Sequence, residues 1–292
     1  MTTPHPPPPS TAGARTRREL RAAQQHPKAG RDLPVAIGVG VALGAVVISS
    51  LFIRKEAFVV VVVAAVCVSL WELTQALSQR AVVVPIVPVA VGSVGMLVAA
   101  YAAGGQALAV CFLLTSIGVV VWRSSEGVEG AVRDVAGGVF AAAYLPLLAG
   151  FTMLMLAEDD GARRVVTYVL VTVASDIGGY AAGVLTGRHP MAPSVSPKKS
   201  WEGFAGSVLA CVVVGSLSVS LLLHGPWWAG ALLGAAAALV STLGDLGESM
   251  LKRDLGIKDM GSILPGHGGV MDRLDSLLLS APVAYLALHL LV

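Results

Sequence analysis

The feature that most constrains this chain is a series of apolar runs, each about as long as a lipid bilayer is thick. A helix that crosses the hydrocarbon core needs about 20 predominantly apolar residues. Hydrophobic residues make up 55% of the 292 residues and charged residues only 13%, about half the charged fraction of an ordinary soluble protein. We count nine runs of sufficient length, at about 34–53, 57–77, 82–102, 105–122, 135–156, 165–186, 204–223, 227–249 and 276–292. The sequence therefore predicts an all-α, polytopic integral membrane protein with about nine transmembrane helices.

Composition divides the chain into three parts. Residues 1–33 contain four consecutive prolines and six basic residues but no apolar periodicity, so they are predicted to form a disordered, Pro-rich, basic tail. The apolar run that follows continues too far for the central region of a signal peptide. The remaining parts are N-terminal transmembrane helices at 34–164 and a C-terminal transmembrane region at 165–292, which holds the candidate catalytic residues.

The basic residues fall mainly on one side of this nine-helix arrangement. If the N-terminus is cytoplasmic, 16 of the 20 Lys and Arg residues lie in cytoplasmic segments, and the outer loops hold only four. Positive charge is enriched in the cytoplasmic loops of membrane proteins. The pattern therefore predicts a cell-membrane protein with a cytoplasmic N-terminus and an external C-terminus. The loops at 187–203 and 250–275 then face the cytoplasm.

A charged island from Ser241 to Asp275 interrupts the apolar C-terminal region. It holds six acidic residues, four basic residues and one histidine between two almost uncharged runs. On helical spacing Asp245, Glu248 and Lys252 share one stripe with Ser241 and Ser249. A turn rich in glycine and proline follows, in which backbone N–H groups can approach a ligand closely, and Asp272 and Asp275 then share a face of the next helix.

These residue types suit the chemistry of phosphates. Clustered Asp side chains bind magnesium, magnesium bridges substrate phosphates, and Lys or Arg neutralises the remaining negative charge. Asp245, Asp272 and Asp275 meet if the two helices that flank the loop are neighbours. The chain has no Walker A pattern, which argues against a P-loop ATPase, and His267 has no second His or Cys nearby for a zinc site. The three cysteines lie in apolar runs without metal-ligand spacing.

Three further features lie upstream of the island. Glu72 and Asp176 are carboxylates within apolar runs, where such groups generally face a cavity or a partner. For Glu72 a position near the membrane interface is equally compatible, and for Asp176 the alternative is a helix-packing hydrogen bond. The loop at 187–203 has three prolines, which exclude a continuous helix, and it carries Lys198 and Lys199. A basic loop beside a membrane also serves simply to set topology or to attract anionic lipid.

At these residues the chain closely resembles the phosphatidate cytidylyltransferase, or CDP-diacylglycerol synthase, family of integral membrane enzymes. The family pattern is S-x-hydrophobic-K-R, four residues, K-D, a small residue, and then P-x-H-G-G-hydrophobic-x-D-R-x-D. It is met at Ser249, Leu251, Lys252, Arg253, Lys258, Asp259, Gly261, Pro265, His267, Gly268, Gly269, Val270, Asp272, Arg273 and Asp275. Upstream matches are S-x-L-G-D-L at 241–246, Asp176 with Tyr180, and S-P-x-K-[ST]-W-E-G at 196–203. The resemblance covers residues 170–292, and Gly179 departs from it where an alanine is expected.

The resemblance implies a reaction in which the phosphate of phosphatidic acid attacks the α-phosphorus of CTP, giving CDP-diacylglycerol and pyrophosphate. It also implies magnesium, with a second metal ion left open, held at Asp245, Asp272 and Asp275, and a homodimer in the membrane without a nucleic-acid partner. Catalytic roles are predicted for Asp245, Lys252, Arg253, His267, Asp272, Arg273 and Asp275. Substrate-binding roles are predicted for Asp176, Lys198, Lys199, Ser249, Lys258, Gly268 and Gly269.

The chemistry of the phosphate nucleophile restricts the role of His267, and two alternative functions stay open. A phosphate monoester is mostly dianionic at neutral pH, so the nucleophile needs no strong base, and His267 is interpreted as a phosphate or metal-shell contact. One alternative is another CTP-using membrane enzyme, such as a polyprenol kinase or a synthase acting on an archaeal-type lipid. The other is an ion-coupled transporter that uses Glu72, Asp176 and Asp245 as relay carboxylates. Glu248, Asp254 and Asp259 are equally compatible with a solvated cytoplasmic face.

Overall fold

The computed structural model describes residues 33–264 and 268–292, with only the backbone for 33–37. The predicted basic tail and His267 lie outside the described residues. The helices are α1 (Leu33–Ile53), α2 (Lys55–Ser78), α3 (Ile86–Ser125), α4 (Ala131–Ala142), a π-helix (Ala143–Leu147), α5 (Leu148–Ala157), α6 (Gly161–Thr186), α7 (Trp201–Leu222), α8 (Trp227–Leu255) and α9 (Met271–Leu291). Two short strands, β1 (Pro190–Ala192) and β2 (Ser196–Ser200), form an antiparallel pair.

The structure confirms an all-α, polytopic membrane fold. Seven helices in the described part are long and apolar enough to cross a membrane, if α4, the π-helix and α5 are taken as one continuous span. This number is smaller than the predicted nine. The difference lies in α1, whose described apolar part at Gly38–Ile53 is shorter, and in α3, which covers two of the predicted spans.

The helix α3 is a hairpin of two antiparallel arms rather than one rod. Its 40 residues would extend for about 60 Å if straight, twice the ~30 Å of the hydrocarbon core. Gly104 breaks it with φ 81° and ψ −169°, a conformation that only glycine adopts without strain. A Cβ atom added at Gly118 would lie 3.5 Å from Pro88 on the first arm. Residues 30 positions apart meet in this way only if the chain folds back at Gly104.

The helix ends gather at two opposite ends of the bundle. At one end the Lys55 ammonium donates to the backbone oxygen of Glu158. At the other end the Arg80 guanidinium donates to the backbone oxygen of Asp254. Successive helices therefore alternate in direction, and the connection at 187–200 and the described residues of the next one, 256–264 and 268–270, lie at the same end as Arg80.

The helices α6, α7 and α8 pack through small residues. A Cβ atom at Gly178 would lie 2.7 Å from the backbone oxygen of Gly206, and Gly215 and Gly230 meet backbone to backbone in the same way between α7 and α8. Close backbone approach through small residues is how membrane helices gain van der Waals contact, because lipid tails leave little hydrophobic driving force between them. This packing holds α6 and α8 on either side of α7, and polar side chains from all three reach one cavity.

Candidate active site

The end of the bundle that contains Arg80 has a cavity of about 580 Å³, within the usual size range of ligand-binding pockets. We call it the carboxylate cavity, because Asp176, Asp245, Glu248, Asp259, Asp272 and Asp275 all contribute to its lining. The other predicted site residues that line it are Lys198, Lys199, Ser249, Lys252 and Arg273. The structure thus brings together residues from α6, β2, α8 and α9 that are up to 99 positions apart in the chain.

The loop at 187–203 forms one wall of this cavity. It contains the β1–β2 hairpin, which the sequence did not predict, and Ser200 then begins α7 by accepting a 3.1 Å hydrogen bond from the Gly203 amide. From β2, the Lys199 ammonium donates a 2.6 Å hydrogen bond to Asp245 Oδ2 on α8. The hairpin therefore brings a lysine to the carboxylate that the sequence placed at the centre of the site.

Asp245 has a second partner that sequence analysis missed. The Ser276 hydroxyl of α9 donates a 2.5 Å hydrogen bond to Asp245 Oδ1. Ser276 is buried, and in the sequence it looked like the start of an apolar span. Asp245 is thus oriented by groups from both β2 and α9, with Asp275 immediately beside Ser276.

Lys252 and Asp272 form the second ion pair of the site. The Lys252 ammonium lies 2.9 Å from Asp272 Oδ1 and 3.0 Å from Glu248 Oε2. Asp272 also accepts backbone hydrogen bonds, at 3.0 Å from the Met260 amide and 2.8 Å from the Gly269 amide. These two bonds go to Asp272 Oδ2, and the Met260 amide also lies 3.2 Å from Oδ1.

Glu248 belongs to the interior and not to a solvated face. Its side chain is only 2% exposed, and its Oε1 atom is buried without a hydrogen-bond partner in the described part of the chain. Its carboxyl group adjoins that of Asp275. Of the other two carboxylates left open by the sequence, Asp259 is exposed but lines the cavity, whereas Asp254 is exposed and does not.

A second cavity of about 570 Å³ adjoins the first. We call it the basic cleft, because Lys198, Lys252, Arg253 and Lys258 line it and no acidic residue among the described ones does. The predicted residues Arg253 and Lys258 lie here and not in the carboxylate cavity. Lys198, Ser249 and Lys252 line both cavities, so the two share a wall.

The predicted glycines belong to the turn before α9. Gly268 has φ 83°, and Gly269 donates its amide hydrogen to Asp272. Neither glycine lines either cavity. Their predicted substrate-binding role stays a prediction, while their position shows how the turn supports Asp272.

Glu72 is a further residue whose role the sequence could not decide. It is 1% exposed, so its carboxylate is enclosed by the protein. Its carboxylate accepts hydrogen bonds from the amides of Val270 and Met271 at 3.1 and 2.9 Å. The N-terminal half of the chain therefore contacts the start of α9 directly.

The donor set of the carboxylate cavity fits magnesium. The described residues contain no ready-made group of three His, Cys, Asp or Glu side chains arranged to hold a metal ion, but magnesium at phosphate sites usually takes only one or two carboxylates together with substrate phosphates and water. Asp245 and Asp275 line the same cavity, beside the unpartnered Oε1 of Glu248. Asp245 and Asp272 do not differ in their existing partners, since both oxygens of each already accept hydrogen bonds. A metal-binding role for each of the three stays a prediction.

Comparison with known proteins agrees with these features. The cytidylyltransferase family matches residues 34–291. A phosphatidate cytidylyltransferase from Mycobacterium leprae is 41% identical over 289 residues, covering 91% of this chain and 90% of the relative. A protein of the same name from Mycobacterium bovis is 39% identical, covering 93% and 94%. One from Brucella suis is 37% identical over 185 residues, covering 62% and 66%.

Proposed function

The chain belongs to the cytidylyltransferase family, and from that premise we propose that it transfers the cytidylyl group of CTP to phosphatidic acid, giving CDP-diacylglycerol and pyrophosphate. The relatives named phosphatidate cytidylyltransferase support this choice of substrates. The observation that carries the proposal is the convergence of carboxylates and cations from α6, β2, α8 and α9 on one cavity at the end of a membrane bundle. Such a site can bind phosphate groups of a soluble nucleotide and of a lipid together.

The proposed reaction needs little covalent work by the protein. An oxygen of the phosphatidate phosphate forms a bond to the α-phosphorus of CTP, and the bond from that phosphorus to the oxygen bridging to the β-phosphate breaks. Pyrophosphate leaves with the electron pair. Because the attacking phosphate is mostly dianionic at neutral pH, positioning and charge stabilisation account for catalysis. This assigns Lys199, Lys252 and Arg273 to the charges on the phosphates.

The two cavities suggest how the nucleotide lies. The proposal assigns the α-phosphate and the attacking lipid phosphate to the carboxylate cavity, and the β- and γ-phosphates to the basic cleft. Lys198 and Lys252 line both cavities, so they lie where the bond to pyrophosphate breaks. Arg253 and Lys258 then hold the leaving pyrophosphate, because a cleft lined by basic residues and by no acidic one among those described favours a polyanion.

Magnesium is part of the proposal. Asp245 and Asp275 would hold it, and when bound it would neutralise phosphate charge and polarise the α-phosphorus. Before magnesium and substrate bind, the lysines of the site neutralise the negative charge of the carboxylates. A buried carboxylate without such a partner is costly in free energy. Asp245 is oriented for this role by Lys199 and by Ser276.

The lipid is proposed to enter from the side of the bundle near α6 and α7. Tyr180 and Phe204 line the carboxylate cavity, and Tyr180 is 76% exposed on the outer surface of the helices. An aromatic ring with a polar tip suits the interface between headgroups and acyl chains. The phosphate of a membrane lipid can thus reach Asp176 and Arg273 while its acyl chains stay in the bilayer.

We further propose that both cavities open to the cytoplasm, with the N-terminus inside and the C-terminus outside. The support is the distribution of basic residues, which are concentrated at the end of the bundle that holds the site. Reporter tags fused before Met1 and after Val292 test this orientation in intact cells. The first tag should be cytoplasmic and the second external, and tags on one side would contradict the arrangement.

The decisive experiment supplies purified protein in lipid nanodiscs with labelled CTP, magnesium and one lipid acceptor at a time. Phosphatidic acid should yield CDP-diacylglycerol and one pyrophosphate per product, and Asp245→Asn should serve as the inactive control. A polyprenol and an archaeal-type ether lipid test the related enzymes. Turnover with either of these and none with phosphatidic acid would contradict the proposal. Chemical crosslinking in the same nanodiscs tests a homodimer, which is proposed on family resemblance alone.

A further inference from the structure

Glu72 is a buried carboxylate of α2 that contacts the catalytic half of the chain. Its Oε1 atom accepts a hydrogen bond from the Val270 amide at 3.1 Å, and its Oε2 atom accepts one from the Met271 amide at 2.9 Å. The donors are 198 and 199 positions away in the sequence. Nothing in the signature pattern of residues 249–275 includes this residue.

These hydrogen bonds satisfy the start of α9. The first N–H groups of a helix have no partner within the helix, and the helix dipole makes that end favourable for a negative charge. Val270, the residue before α9, makes no side-chain cap at this end. The carboxylate of Glu72, only 1% exposed, supplies the missing acceptors from a different helix.

The connection between α8 and α9 is shaped around the same carboxylate. A Cβ atom at Gly269 would lie 2.6 Å from Glu72 Oε2, and a Cβ atom at Gly261 would overlap with Glu72 Oε1. Real Cβ atoms do not approach so closely, so larger residues at either position would push the carboxylate away from α9. Two glycines of the connection therefore leave room for one side chain of α2.

The connection that Glu72 holds is also the one that orients Asp272. Asp272 accepts hydrogen bonds from the amides of Met260 and Gly269, each next in sequence to a residue that contacts Glu72. Asp275 lies one helical turn further along α9 and lines the carboxylate cavity. We propose that Glu72 is a positioning residue, which fixes the start of α9 and thereby sets Asp272 and Asp275 in the cavity.

The first test compares Glu72→Gln with the wild type, and it rests on the proposed function for its kinetic readout. The amide keeps the shape but replaces one acceptor with a donor, so one backbone N–H loses its partner. We expect kcat per folded molecule to fall by about 10- to 100-fold, the usual cost of losing a group that orients a catalytic residue, while KM for CTP changes little. Glu56→Gln, on the exposed part of the same helix, is the matched control and should keep full turnover.

Hydrogen exchange gives a readout that does not depend on turnover. In Glu72→Gln the amides of residues 268–272 should exchange faster, while peptides from α6 and α7 should be unchanged. Faster exchange throughout the protein would indicate general loss of stability and would overturn a positioning role. Inactivity of the wild type would refute the proposed function, yet the exchange result would still decide the role of Glu72.

A double-mutant cycle isolates the contact itself. Gly261→Ala should lower kcat because the new methyl group displaces the Glu72 carboxylate, whereas Gly247→Ala, which has open space around it, should be neutral. In a Glu72→Ala background, Gly261→Ala should cause little further loss, since the carboxylate it displaces is gone. Fully multiplicative losses would overturn the proposal. If Glu72→Ala does not fold, the same cycle is measured with Glu72→Gln.

Discussion

The carboxylate cavity and the basic cleft are nearly equal in volume, at about 580 and 570 Å³, but the first is lined by both acidic and basic residues and the second by basic ones alone among the described residues. In the first, Asp245 and Asp272 are held by Lys199 and Lys252. In the second, no described lining residue is acidic, and Lys252, which both cavities share, pairs with Glu248 and Asp272 of the first. Carboxylates that bind a cation need other positive partners when that cation is absent, because unpaired buried charges are costly in free energy. Basic residues in a surface cleft can instead stay hydrated until an anion binds. This contrast is the basis of the proposed division between reacting phosphate and leaving phosphate.

The largest effects should come from the carboxylate cavity. Asp245→Asn and Asp275→Asn keep the side-chain shape but remove the anionic oxygen that magnesium requires, so CDP-diacylglycerol formation should fall at least about 100-fold. Asp272→Asn should be similarly severe, either as a lost ligand or through the turn before α9. The measurement is pyrophosphate release against magnesium concentration, in protein with a normal size-exclusion profile. Near-normal turnover and magnesium response in Asp245→Asn and Asp275→Asn would remove the metal-site assignment.

The next effect should come from the lysines of the hairpin between α6 and α7. Replacing Lys198 and Lys199 together with Gln removes one cation shared by the two cavities and the partner of Asp245. We expect kcat/KM to fall about tenfold, with part of the loss recovered at high substrate concentration. Arg163→Gln, an exposed residue at the opposite end of the bundle, is the matched control. Unchanged kinetics in the double variant would contradict a substrate-binding role for this loop. The loop would then serve only to set topology or to attract anionic lipid.

A smaller and more selective effect is expected in the basic cleft. Arg253→Gln and Lys258→Gln should raise KM for CTP and the inhibition constant of pyrophosphate by about three- to tenfold, the cost of one charge-assisted contact at an exposed site. KM for phosphatidic acid should stay the same, because the lipid phosphate is proposed to bind in the other cavity. If the KM for the lipid rises and pyrophosphate inhibition does not change, the assignment of the two cavities is wrong.

The smallest effect is expected at Asp259, which lines the carboxylate cavity from an exposed position. Asp259→Asn should change kcat and KM by about twofold or less, since solvent screens this carboxylate. Initial-rate measurements at saturating and subsaturating CTP are sufficient. A loss as large as that of Asp245→Asn would extend the essential carboxylates beyond the buried part of the cavity.

The sequence predicted what depends on composition and local spacing. Membrane-length runs follow from hydrophobicity alone, and the break between the runs at 82–102 and 105–122 coincides with the turn of α3 at Gly104. The charged island and the basic loop before α7 were identified because charge is rare elsewhere in the chain. The structure brings Lys199 of that loop and Asp245 of that island to one cavity.

What the sequence could not predict depends on contacts between distant elements. The role of Glu72 requires that α2 lies beside the start of α9, which no local pattern encodes. Ser276 has the appearance of a residue in an apolar span, and only the approach of α8 makes it a partner of Asp245. In the sequence, Arg253, Lys258 and the carboxylates belong to one continuous charged stretch. Only the packing of the chain places these two basic residues in a different cavity from the carboxylates.

The hairpin at Gly104 determines whether α3 crosses the bilayer once or twice, and this number affects the whole membrane protein. Every crossing of the bilayer reverses the side on which the following loop emerges. With α3 folded back at Gly104, the chain re-emerges after Ser125 on the side where it entered at Ile86. A straight α3 would move every later loop to the opposite face, including those that carry Lys199 and Asp272. One glycine in a left-handed conformation thus helps to decide which compartment supplies the substrates.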